Sequence, residues 1–262
     1  MFNEFAEIND GSADVTRSTQ IENNSISKKR KRRDKEKAKK AKKQKLAVEP
    51  RDVQPLIACL PPADAATYLC AQQAKAFSKL SILELEDRRI PVSCIADTTT
   101  YSGTRTLDDF GNFIRHSFPQ LMLRLSQKPR NNGAPTLIFM AGAALRVADV
   151  TRMLKKYRGD KGGEIAKLFA KHIKLQDHIT YLRQTKIGVA VGTPARLGQL
   201  LDAEALVLTA LTHICIDTSF RDTKRRSMLD IPETREETFR SVLGNDRVRA
   251  VLDSGKVQLI LF

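Results

Sequence analysis

Residues 186–220 read KIGVAVGTPARLGQLLDAEALVLTALTHICIDTSF. Two short apolar runs, Ile187–Val191 and Ile214–Ile216, flank a Gly-Thr-Pro turn and a helix start. Runs of this length, bounded by turn residues, read as buried strands. The second run ends on Asp217, the point where a strand of a parallel sheet emerges. Thr193 stands at the N-cap and Pro194 at the first helical position, where a missing N–H costs nothing. Strand, turn, helix, strand, acid is the order of a parallel α/β sheet that handles nucleotides.

The same alternation extends outward. Thr136–Met140, Ile165–Phe169 and Val257–Phe262 read as further strands, and the second run as a strand over His213–Asp217. Val147, Val150, Leu154 and Tyr157 share one helical face, and so do Leu175, Ile179 and Leu182. Pro194 to Leu201 and Pro232–Leu243 read as helices, the second with Pro at its start and Gly244 past its end. Upstream, Ala63–Lys79 is a helix and Pro91 introduces the apolar run Val92–Ala96. Leu107, Phe110, Phe113 and Ile114 repeat at helical spacing up to Pro119. Several strands are apolar throughout, which predicts a parallel sheet with helices on both faces. The expectation is one α/β domain over 49–262, with 49–134 as a helical entry region and 135–262 as the core sheet.

Charge is concentrated in one segment. Of 262 residues, Lys28–Lys45 holds 13 of the 45 basic and 2 of the 30 acidic side chains. Its net charge of +11 leaves +4 for the rest of the chain. The basic positions include Lys28, Lys29, Arg30, Lys31, Arg32 and Arg33, then Lys39, Lys40, Lys42, Lys43 and Lys45. Residues 1–48 bury too little apolar surface to offset chain entropy and read as a disordered arm. So dense a run fits a nuclear import signal, an anchor to RNA phosphates, or both. The first ten residues lack the apolar segment of a signal peptide, and no apolar run spans a bilayer, so an intracellular protein without a membrane role is expected. Cys59, Cys70, Cys94 and Cys215 lie far apart and read as reduced, buried thiols. The four histidines show no metal-ligand spacing, and neither a metal nor another cofactor is expected.

The capped helix start at Thr193 and Pro194 can face an anion through its free amides and dipole. Arg196 adds a charge one step on, so a nucleic-acid phosphate is a natural ligand. A capped helix that binds nothing is the plain alternative.

These residues resemble a known family. VAVGTPARLGQLL is similar to the strand and TPGRL segment of the first RecA-like domain of DEAD-box RNA helicases, which contacts the RNA backbone. HICIDTSF resembles the strand ending in DEAD, LIFMAGAAL the strand followed by PTREL, and VQLILF the strand leading into SAT. The resemblance covers about Pro135 to Phe262 and implies a RecA-like, P-loop-NTPase-like fold. Lys171 and His172 lie where that family has a glycine pair near RNA, which implies a backbone contact.

The departures bear on activity. Where a glycine-rich loop ending in GKT belongs, the sequence is CIADTTTYSGTRTL, with Gly103 alone and no lysine, so phosphates lose their main ligands. Asp217 matches the magnesium-positioning aspartate as a vestigial metal position. Thr218 replaces the glutamate and cannot act as a base at neutral pH. Of PTREL only Leu145 matches. The SAT segment and a second RecA-like domain do not follow. The nucleotide site therefore reads as degenerate.

A degenerate RecA-like domain behind a Lys/Arg arm resembles a more specific family, the subunits of the 90S pre-ribosomal complex. LFAKHIKLQ (Leu168–Gln176), GTPARL, the aspartate-ending strand followed by Arg221-Asp222, and MLDIPE (Met228–Glu233) carry the resemblance. It implies a non-catalytic role in small-subunit rRNA maturation in the nucleolus. Assembly proteins and pre-rRNA or snoRNA are the implied partners, and no small-molecule substrate. Two other readings stand beside it: an RNA-dependent ATPase whose loop Asp97–Thr106 binds phosphate through hydroxyls and Arg105, and a generic nuclear adaptor.

Overall fold

A computed structural model describes residues 57–262. The basic arm at 28–45 lies outside the described residues. The described residues cluster as one unit.

The expected parallel sheet is present. Its strands are β1 (Leu137–Met140), β2 (Glu164–Leu168), β3 (Ile187–Gly192), β4 (His213–Ile216) and β5 (Gln258–Leu261). They lie in the order β2-β3-β1-β4-β5, and every pairing is parallel. Register is set by the apolar runs: Leu137 stands between Val189 and His213, and Cys215 opposite Ile260. Among the described residues the helices are α1 (Pro62–Ala76), α2 (Ile82–Asp87), α3 (Phe110–Ser117), α4 (Pro119–Leu125), α5 (Ala144–Leu154), α6 (Leu175–Gln184), α7 (Pro194–Asp202), α8 (Pro232–Glu237) and α9 (Asp246–Asp253). Local chemistry sets several starts. Ser81 and Glu84 close a capping box on α2, and the Asn245 side chain accepts from the Arg247 amide on α9.

Successive strand residues face opposite layers. Leu137, Phe139, Val191, Cys215, Ile260 and Phe262 pack with the α3, α4 and α5 side chains. Ile138, Met140, Ala190, Ile214, Leu259 and Leu261 pack with α1, α6, α7 and α9. The first layer is aromatic: Phe110 meets Phe262 edge-on at 4.6 Å and Phe139 at 5.4 Å. Such pairs contribute about 0.5–1.5 kcal/mol beyond burial.

Residues from the entry region join both layers. Ala58, Leu69, Phe77 and Ile95 belong to one, and Phe110, Phe113 and Phe118 to the other. The run Val92–Ala96 is not a full strand. Val92–Cys94 form a 3-10 turn, then Ile95 makes a single parallel bridge to Leu259, and the Ala96 amide donates to Leu259 O at 2.9 Å. The helix read over Pro232–Leu243 stays α-helical only to Glu237 and widens into a π turn at Thr238–Val242. The cysteines are free, but Cys59 is exposed and Cys70 half-buried, so only Cys94 and Cys215 are the buried thiols expected. Cys59 sits in a 3-10 turn whose buried residue is Ala58. No helix of the described residues is long and apolar enough to cross a membrane.

Candidate functional site

The carboxyl ends of parallel strands are where α/β sheets place their ligand-binding loops. β4 delivers Asp217 there, 1% exposed. Arg146, in the first turn of α5, donates from Nε to Asp217 Oδ2 at 2.6 Å and from Nη2 to Oδ1 at 3.3 Å. Oδ1 also accepts from the Ser219 amide (3.2 Å), the Ser219 hydroxyl (2.8 Å) and the Phe220 amide (3.2 Å). The guanidinium lies 5.4 Å from the Phe220 ring centre and donates to Ser219 Oγ at 2.9 Å. A buried carboxylate needs a counter-charge, and here a side chain of the same chain supplies it. A divalent cation on Asp217 would sit against that guanidinium, so these residues do not fit magnesium. Among the described residues no group of three or more His, Cys, Asp or Glu is placed to hold a metal. Thr218 is occupied as well: its amide and hydroxyl both donate to Phe262 O, at 2.5 and 2.9 Å.

In the loop Asp97–Thr106, Thr98 and Arg105 turn inward, Tyr101 is half-buried and the other residues are exposed. Arg105 is 6% exposed, stacks over the Phe113 and Tyr101 rings at 4.4 and 5.1 Å, and donates to Thr98 O at 2.7 Å. Its Nε and Nη1 have no hydrogen-bond partner among the described residues. Thr98 in turn donates to Ala58 O at 2.9 Å. Arg105 is therefore not presented to a phosphate, contrary to the ATPase reading. The Tyr101 hydroxyl donates to Asp109, which also accepts from Thr104 and Asn112 at 3.2 and 2.8 Å. Burial first, then Asp109, pushes the Tyr101 hydroxyl up to about 12. A Cβ on Gly103 would collide with the Tyr101 ring. Asp108 and Asp109 precede α3, so the helix start that would face phosphates carries carboxylates. Between loop and Asp217 lies Cys215. Burial and then Asp217 hold its thiol well above the ordinary range, against an opposing pull from Arg105 and Arg146.

The other candidates gather at the ends of β2 and β3. The Thr193 amide donates to Leu168 O at 3.0 Å, so the two strand ends share one surface. Thr193 is half-buried with extended backbone at the N-cap, and its hydroxyl makes no capping bond. Pro194 is buried. Lys171 and His172 are exposed on the loop after β2. His172 adopts φ 65°, where a glycine is favoured and another residue costs about 1–2 kcal/mol. Arg196 departs from expectation. It is 5% exposed and turns inward, because α7 buries the face it shares with Leu197 and Leu200. It hydrogen-bonds His178 Nδ1 at 2.9 Å and donates to Ile173 O at 3.1 Å. Burial and then Arg196 lower the His178 pKa, so the neutral ring accepts from the guanidinium. Burial lowers Arg196 itself. Arg196 thus positions the loop that carries Lys171 and His172 and is not itself a surface charge.

Arg146 and the Tyr101–Asp109 pair were not singled out from the sequence. Arg146 follows Leu145, the one match to PTREL, yet Leu145 is 80% exposed and Arg146 makes the structural contact.

Fold and site together define a parallel α/β protein in which Arg105 is buried within the loop Asp97–Thr106 and Arg146 pairs with the acidic strand end at Asp217. The chain belongs to the CMS1 family of U3-containing 90S pre-ribosomal complex subunits, whose profile matches residues 12–262. It is similar to Protein CMS1 of Chaetomium thermophilum, 39% identical over 165 residues, covering 63% of this chain and 65% of that protein. Protein cms1 of Schizosaccharomyces pombe is 36% identical over 160 residues, covering 61% and 55%. Protein CMSS1 of Homo sapiens is 31% identical over 164 residues, covering 62% and 55%. The matched segments thus span between about half and two thirds of these relatives. Distant structural likenesses include a DEAD box protein from Methanococcus jannaschii (TM-score 0.36, 14% identity, 61% of this chain and 37% of that one). Another is S. cerevisiae Dbp5 bound to Nup159 and Gle1 (TM-score 0.40, 17% identity, 78% and 46%).

Proposed function

We propose that this chain is a non-catalytic component of the 90S pre-ribosome, acting in small-subunit rRNA maturation in the nucleolus by docking on protein and RNA. Membership of a 90S pre-ribosomal subunit family supports the particle. The observation that carries the non-catalytic reading is the Arg146–Asp217 pair at 2.6 Å, a fixed cation where hydrolysis needs a mobile one. The buried Arg105 and Thr218 in place of a base support it further. Lys171, His172 and Thr193 form the RNA-facing surface, with Pro194 and Arg196 holding its shape. A strained His172 on an exposed loop favours a contact there, because strain persists where surroundings or function require it.

Titration of the full chain with a fluorescent ATP analogue, with and without magnesium and RNA, tests the first part. No saturable binding up to about 1 mM, the upper end of ordinary affinities for such ligands, is expected. Micromolar, magnesium-dependent binding lost in Asp217→Ala would overturn the non-catalytic reading and favour the ATPase one. Absence of the protein from pre-rRNA particles in sedimentation would overturn the ribosomal reading and leave a generic nuclear adaptor.

A further inference from the structure

The opposite end of the sheet, where β2 and β3 begin, carries a cleft of about 710 Å³. Three connections wall it: the segment after α4 with Lys128 and Asn132, the turn from Arg158 to Glu164, and the link from α6 to β3 with Gln184, Thr185 and Lys186. It is a built surface. The Glu164 amide donates to Lys186 O at 2.9 Å and the Gly133 amide to Thr185 O at 2.9 Å. Gly163 packs so close to Gly188 and Ile187 that a Cβ there would meet their backbone at 2.5 and 2.9 Å.

The charge balance of this lining is specific. Arg158 is spent on Glu164, at 2.5 Å. That leaves Lys128, Lys161 and Lys186 against Asp160 alone, all three lysines exposed and without an ion pair among the described residues. One turn before Gln184 on α6 stands Tyr181, 37% exposed. Burial and then the Glu164 carboxylate raise its hydroxyl pKa. Asn132, Gln184 and Thr185 add amide and hydroxyl groups to the same lining, the Asn132 amide already donating to Arg183 O at 2.9 Å. Cations along a groove, an exposed aromatic ring one helical turn from its lining and polar groups in that lining are what a single nucleic-acid strand requires: phosphates paired, a base stacked, base edges or 2′-hydroxyls hydrogen-bonded. An acidic peptide would use the lysines but leave the ring and the amides without a role.

We infer that this cleft is a second RNA surface, in which Lys128, Lys161 and Lys186 neutralise phosphates of a single-stranded segment and Tyr181 stacks on a base. It rests on the reading that the chain binds RNA, but uses none of the residues assigned there. The length of β2 separates the two surfaces by roughly 15–20 Å, so one strand of RNA can cross the β2 edge and touch both.

The test uses the full chain and a fluorescein-labelled single-stranded oligouridine of about 12 nucleotides. Affinity is measured by anisotropy from about 50 to 200 mM KCl. The triple variant Lys128→Gln, Lys161→Gln, Lys186→Gln should flatten the slope of log affinity against log salt by about 2, at 0.7 per phosphate contact. Tyr181→Leu should weaken binding about tenfold with the slope unchanged. Photocrosslinking of 4-thiouridine RNA should label the peptide containing Tyr181. An unchanged slope in a variant of unchanged thermal midpoint, with crosslinks only around Lys171 and Thr193, would overturn the cleft and leave the first surface standing. Absence of RNA binding by the full chain would overturn both. Equal competition by polyglutamate at matched ionic strength would replace RNA with an acidic polypeptide.

Discussion

Arg146 and Asp217 are 71 residues apart in the chain and joined at 2.6 Å. Removing one partner of a buried pair leaves an uncompensated charge, typically at about 3–5 kcal/mol. Arg146→Ala should therefore lower the stability measured by urea unfolding by about that amount, and Asp217→Asn in the same background should recover part of it. A second residue-scale effect depends on pH. Burial depresses the His213 pKa from 6.5 to about 4, and His178 shifts in the same direction. A histidine with a depressed folded pKa is neutral in both states above 6.5, so the native state keeps its full stability there. As pH falls from about 6.5 to about 4 the unfolded chain takes the proton more readily, and up to about 3 kcal/mol is lost through His213. Chemical denaturation across that window should show the decline, and His213→Gln should flatten it. Asp217 was legible in the sequence because it ends an apolar strand. Its partner was not, because a guanidinium 71 residues away in the chain leaves no local pattern. Arg196 was misread for the opposite reason: a charged residue after a helix cap suggests solvent, while its ligands, His178 and Ile173 O, lie on other elements.

Strands and most helices were legible because their apolar periods are uninterrupted and their ends carry Pro, Thr or Gly. The π turn at Thr238–Val242 was not, since its cause is tertiary. Thr238, Phe239 and Val242 are buried, and α7 meets this segment so closely that a Cβ on Gly198 would collide with Ser241. This contact decides the sign of a substitution. In an exposed helix interior Gly→Ala gains about 0.5–1 kcal/mol. Overpacking costs about 1–3 kcal/mol, and the near neighbours here include the Ser241 backbone as well as its Cβ. Gly198→Ala should thus destabilise the protein, read as a lower urea midpoint with an unchanged m-value. A rise in midpoint would mean that the π turn can shift.

The whole chain divides its charge between a segment of +11 and a remainder of +4. Deleting 28–45 should abolish nucleolar enrichment of a fluorescent fusion and remove most of the salt dependence of RNA binding, because each neutralised phosphate releases counterions. Unchanged enrichment would reject the import role. The parallel sheet could be anticipated at this scale and the positive arm read directly. The conformation of the loop Asp97–Thr106 could not: its few glycines and missing lysine said nothing of the way Arg105, Tyr101 and Asp109 pack together.

The internal arginine on Asp217 also bears on timing. A bound ion or nucleotide that comes and goes can switch a protein surface between holding and releasing its target. Here the counter-charge is covalently part of the protein. On the proposed non-catalytic reading no turnover drives dissociation, and residence on a particle is set by a passive off-rate, or by whatever rearrangement of the particle dismantles the surface it holds.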